Sequence, residues 1–128
     1  MKESEQFHLT ETDIQRYQQR IAKIDLVKIP EVLKQIPPKV EALVKNPDLA
    51  DYHIRLISDI SKLYTLLKNY PEISDDIKRR ILFALEYFLD EKDDIPDKIP
   101  GIGLLDDYVL VRWVVDQIMV EYKEVFQA

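Results

Sequence analysis

Only two of the 128 residues are glycine, and both, Gly101 and Gly103, fall in one short link. A β-rich fold with many tight turns draws on glycine for positive φ, so this chain has little means of building one. What it has instead is apolar spacing at helical period. Ile14, Tyr17, Ile21 and Ile24 mark one helix over about 11–24, behind a Thr10–Asp13 capping box with Asp in the Glu position. Leu49, Leu56, Ile60, Leu63, Leu67 and Tyr70 recur in sevens, threes and fours, and predict a helix over about 48–69.

The same reading places a helix start near Pro30, with Val32, Leu33 and Ile36 as its apolar face. Pro37–Pro38 predicts a break or sharp kink there, followed by a short helix over 38–45. Ser74 reads as an N-cap with Asp75 and Asp76 in the first turn behind it. That helix has Ile77, Ile81, Leu82, Leu85, Phe88 and Leu89 on one face and Lys78, Arg79 and Arg80 on the opposite, solvated one. The last helix, about 104–125, is apolar nearly all round, which predicts a central position. Arg112 and Asp116 interrupt it at i,i+4 spacing, where they can pair. No strand alternation or internal repeat competes. The expected fold is all-α: a single-domain bundle of five or six helices over residues 10–128 behind a flexible tail, 1–9.

Composition narrows the function classes. With no cysteine there are no disulfides, thiolate metal sites or cysteine nucleophiles, in keeping with a cytoplasmic location. The polar N-terminus has no apolar core of a signal peptide, and no stretch suits a membrane span. The charge is localised. Residues 86–107 hold eight acids (Glu86, Asp90, Glu91, Asp93, Asp94, Asp97, Asp106, Asp107) against Lys92 and Lys98, and so carry the whole net charge of −6. That balance argues against nucleic-acid backbone binding.

The acidic link is expected to be ordered. Pro96 and Pro100 forbid a continuous helix, Gly101 and Gly103 allow the chain to turn, and Ile95, Ile99 and Ile102 can pin it to the core. The last two helices then form a hairpin across it. Asp106 and Asp107 fall in the first turn of the last helix, where carboxylates satisfy free N–H groups. The candidate site is therefore Asp93, Asp97, Asp106 and Asp107, with Asp90, Asp94, Arg112 and Asp116 as secondary members.

Two chemistries suit these acids. They can organise a loop that presents a surface to a protein partner, with no cofactor. Alternatively, they can hold Mg²⁺, Mn²⁺ or Ca²⁺, which take oxygen ligands and relieve repulsion between close carboxylates. A divalent-metal-dependent hydrolase or transferase is the enzymatic form of the second reading. The EF-hand pattern fails, since the twelfth position from Asp90 is Gly101. Residues 93–97 match Asp-Asp-x-x-Asp, but Pro96 breaks the helix that such a motif needs. No metalloprotease or phosphate-loop motif is present. His8 falls in the tail, and His53 borders the apolar stripe as a packed, hydrogen-bonded core-edge residue. Peripheral membrane association is the less favoured third reading, and the apolar surplus of the last helix is compatible with a homodimer.

The stretch "DDIPDKIPGIGLLDDYVLV" resembles the signature of the YkvA-like family of small helical domains of unknown function. Asp93, Ile95, Pro96 and Asp97 match its first part, and Pro100, Gly103, Leu105, Asp106 and Asp107 its second. The resemblance covers residues 81–115, including the apolar helix that leads into the motif. Asp94 stands where the family has an apolar residue. The resemblance implies a helical fold and no established activity; some relatives associate with membranes, and Arg112 with Asp116 makes this last helix less lipid-like than theirs.

Overall fold

A computed structural model describes the chain over residues 10–47, 49–90 and 105–121. Five α-helices and one 3₁₀ turn make up these residues: α1 (Glu11–Ala22), the 3₁₀ turn (Leu26–Lys28), α2 (Ile29–Val44), α3 (Asp51–Asn69), α4 (Asp75–Leu89) and α5 (Leu105–Glu121). The tail 1–9 and the acidic stretch 91–104 lie outside the described residues, and with them the expectation that this stretch is ordered.

Local chemistry sets the helix starts. Thr10 and Asp13 form the expected capping box. Thr10 Oγ1 accepts from the Asp13 N–H at 3.1 Å, and Asp13 Oδ2 accepts from the Thr10 N–H at 3.2 Å. Ser74 Oγ accepts from the Ile77 N–H at 3.2 Å and so begins α4. Asp25 Oδ1 does the same for Val27 at the 3₁₀ turn, at 3.0 Å.

The double proline does not break the chain's second helix. α2 runs without interruption from Ile29 to Val44 with Pro37 and Pro38 inside it. Each proline removes one N–H from the ladder. Both are exposed, however, while Val32 and Ile36 are buried, so the loss falls on the outer face. Water can take the freed carbonyls there, and the buried face keeps the helix on the core. The two short helices expected over 30–45 are therefore one.

The core is a single cluster drawn from all five helices, running from Tyr17 to Ile118. Its middle is α4, not α5. Ile77, Ile81 and Leu82 are buried as expected, and so are Phe83, Ala84 and Tyr87. Every other element packs on α4. Lys78, Arg79 and Arg80 are accordingly half-buried, not solvated. The reason is that α1 covers a face that the apolar count alone left open: Tyr17 meets Phe83 at 5.4 Å and Tyr87 at 6.3 Å between ring centroids. α5 buries Leu110, Val111, Val114, Val115 and Ile118 against α3 and α4, but leaves Met119 and Val120 exposed near its end. Its inner face is covered as far as Ile118, while Met119 and Val120 leave part of its all-round apolar surface open. Among the described residues, no helix is long and apolar enough to cross a membrane.

Candidate functional site

Two features hold the borders of the acidic stretch. At its start, α4 ends with Asp90 as C-cap, whose N–H donates to the Glu86 carbonyl at 2.9 Å. Lys39, from the outer half of α2, donates from Nζ to the Phe88 carbonyl, and its ammonium lies 4.8 Å from the Phe88 ring centroid. A cation at a helix C-terminus satisfies a carbonyl left without an intrahelical partner and opposes the negative end of the helix. At the other border, Asp107 lies in the first turn of α5, where its position in the sequence put it, and it is buried there.

Of the other candidate acids, Asp93, Asp94 and Asp97 lie outside the described residues. Asp106 lies in the first turn of α5. Asp90 is exposed, and its backbone N–H donates to the Glu86 carbonyl. Glu86 pairs with Lys28 of the 3₁₀ turn at 3.6 Å, so this acid ties two elements together. Among the described residues, no group of three or more His, Asp or Glu side chains is placed to hold a metal ion.

The second constellation joins α3 to α5. Arg112 reaches Asp116 Oδ1 from Nη2 at 3.2 Å, the i,i+4 pair expected from the sequence. Its Nη1 turns inward to Asp59 of α3, at 3.2 Å from Oδ2 and 3.3 Å from Oδ1. Asp59 is only 2% exposed. Burial raises its pKa above the ordinary carboxylate value, and the nearby Arg112, Lys62 and Arg55 only partly offset this. The sequence reading missed Asp59. A single aspartate beside Ser58 in an amphipathic helix looks solvated, and its partner lies 53 residues further on. The available signal was its position, three residues after Leu56 and four before Leu63, inside the buried stripe.

Aromatic contacts complete the frame. Tyr17 also meets Trp113 at 6.2 Å, which ties α1 to α5, and Tyr52 meets Tyr108 at 6.1 Å, which ties α3 to α5. Tyr52–Tyr108 and Asp59–Arg112 advance together along both helices, so α3 and α5 run in the same direction. His53 is half-buried, and its Nδ1 accepts from the Ala50 N–H at 2.9 Å. The bond satisfies a backbone N–H at the start of α3.

The described residues thus frame the acidic stretch with a capped end of α4 on one side and buried Asp107 on the other. The sequence model of a family described as a protein of unknown function (DUF1232) matches residues 77–113. The match runs through most of α4, the acidic stretch and the first half of α5. It takes in Phe88, Asp107 and Arg112 but not Lys39, Asp59 or Asp116. No curated protein matches the chain, and no solved structure does.

Proposed function

We propose that this chain is a non-catalytic interaction module that offers the acidic stretch between α4 and α5 to a basic partner. The observation that carries the reading is the concentration of the whole net charge of −6 in residues 86–107, between two helices of the core. A localised field of one sign speeds encounter with the opposite sign and excludes like-charged surfaces. Lys39 at the Phe88 carbonyl and buried Asp107 support the reading, because a stretch with fixed borders loses less entropy when a partner binds. The family match over 77–113 and the YkvA-like resemblance over 81–115 fall on the same segment, and we read both as pointing to one kind of domain.

The second reading is a divalent-metal-dependent hydrolase or transferase using Asp93, Asp97, Asp106 and Asp107. It is favoured by the number of carboxylates that the sequence brings to so short a stretch.

Fluorescence anisotropy with an arginine-rich probe peptide tests the first reading. The wild type is expected to bind the probe, and added salt is expected to weaken binding as Debye screening requires. Asp93→Asn combined with Asp97→Asn should weaken it while leaving the far-UV spectrum unchanged. Binding unaffected by these substitutions would contradict the reading.

A further inference from the structure

The apolar side chains of α5 do not by themselves say which way the helix faces. Between Tyr108 and Val120, Arg112 and Asp116 are the only charged residues. Leu110, Val111, Val114, Val115 and Ile118 are buried, yet Val109, Trp113 and Val120, which share a different face at helical spacing, are apolar as well. Apolar burial alone therefore does not select one rotation of this helix. Ring contacts do not select one either. Tyr52–Tyr108 and Tyr17–Trp113 stand at 6.1 and 6.2 Å between centroids, and such pairs are satisfied anywhere over about 4.5–7 Å.

The charges do select one. On α3, Arg55, Asp59 and Lys62 follow one another at one-turn spacing, and the charges of Arg55, Lys62, Arg112 and Asp116 all bear on Asp59. Asp59 is buried, while Arg55 and Lys62 are exposed on either side of it. α3 and α5 run in the same direction, so Asp116, one turn beyond Arg112, falls level with Lys62, one turn beyond Asp59. Each of these α5 charges then lies level with its opposite on α3. Sliding α5 by one turn, about 5.4 Å, toward the start of α3 sets Arg112 level with Arg55 and Asp116 level with Asp59. Sliding it the other way sets Arg112 level with Lys62. Either slip replaces attraction by repulsion and leaves Asp59 buried without its cation.

The pair is poorly built as a source of stability. Arg112 Nη1 donates to Asp59 Oδ1 at 3.3 Å, but Oδ2 is buried and has no hydrogen-bond partner among the described residues. A buried ion pair repays the loss of water only when its remaining lone pairs are satisfied, and the best-attested use of such groups is to fix register. We infer that Asp59 and Arg112, flanked by Arg55 and Lys62, fix the rotation and register of α5 on α3. This inference is independent of the acidic stretch.

Trp113 is the chain's only tryptophan and adjoins Arg112, so its indole N–H signal in NMR spectra reports how α5 sits. The test removes both partners together, in Asp59→Leu with Arg112→Met. Asp59→Ala with Arg112→Met is a second version that avoids crowding the site. The wild type is expected to give one indole signal and a nuclear Overhauser effect between the Tyr52 and Tyr108 rings. The double variants are expected to keep their helix content while the indole signal splits into two or more and the Tyr52–Tyr108 effect is lost. A single shifted indole signal with the ring effect lost would place α5 in one new register and support the inference equally. The inference is overturned by a single indole signal with the Tyr52–Tyr108 effect retained in either folded double variant. It is also overturned by loss of helix in both, which would make the pair a support of the whole fold and not of its register.

Discussion

Arg112→Met is expected to lower the unfolding free energy by about 3 kcal/mol near neutral pH. Arg112 lies at the α3–α5 contact with its side chain 32% exposed, whereas its partner Asp59 is 2% exposed. Methionine keeps most of the aliphatic volume, so the loss is electrostatic. It arises from a carboxylate left buried without its cation. Partial exposure of the Arg112 site lets water in and holds the cost toward the low end of the range for buried pairs.

The sign of the pH dependence follows from the raised pKa of Asp59. The folded state binds this proton more tightly than the unfolded state does. Stability from this group is therefore fully present below the ordinary carboxylate pKa, and is lost as pH rises through the raised folded value. Removing Arg112 takes away a charge that lowers the folded value, so the loss becomes larger and extends to higher pH. Urea melts at about pH 4 and about pH 8 bracket the effect. The cost of Arg112→Met should be small in acid and large in base. Asp59→Asn should remove most of that difference. An equal cost at both pH values would mean that Arg112 contributes packing and not charge compensation.

Phe88→Ala is expected to cost about 4 kcal/mol. Phe88 is fully buried in the last turn of α4, the helix on which every other element packs. The substitution leaves a cavity in the core and removes the ring beneath the Lys39 ammonium. Lys39→Met separates the two contributions, since it keeps the ring and removes the cation from the Phe88 carbonyl. It should cost only about 1 kcal/mol, as the loss of a helix-end contact does. Single domains are stable by only about 5–15 kcal/mol, so Phe88→Ala should shift the denaturation midpoint far more than any surface change. A cost below that of Lys39→Met would show that α4 is not the centre of the core.

What the sequence made legible was local. Thr10 with Asp13, Ser74 with Ile77, and Arg112 with Asp116 each act within one helical turn, so spacing alone locates them. The stripe from Leu56 to Leu67 was legible for the same reason. Periodicity gives the face of a helix but not what that face meets. The contact of Asp59 with Arg112 and that of Lys39 with Phe88 span 53 and 49 residues, and neither has a local signature. The central place of α4 was hidden likewise: Arg79 and Arg80 look solvated until α1 lies beside them. Pro37 and Pro38 misled in the opposite direction, because a local rule against proline was outweighed by the burial of Val32 and Ile36 on the other face. Of the candidate site, the place of Asp107 in the first turn of α5 was legible and its burial was not, while Asp93, Asp94 and Asp97 rest on the sequence.

On the proposed function, the acids of residues 86–107 serve structure and partner binding, and not metal chemistry. Thermal melting in EDTA, then in Mg²⁺, Mn²⁺ and Ca²⁺ in turn, tests it on the wild type and Asp97→Asn. A native-state ligand at a hundred times its Kd stabilises by about 2.7 kcal/mol, roughly 10 °C for a chain of this size. None of the three ions is expected to move the wild-type Tm relative to EDTA. A rise of several degrees with one ion in the wild type, absent in Asp97→Asn, would contradict it and favour the metal-dependent enzyme.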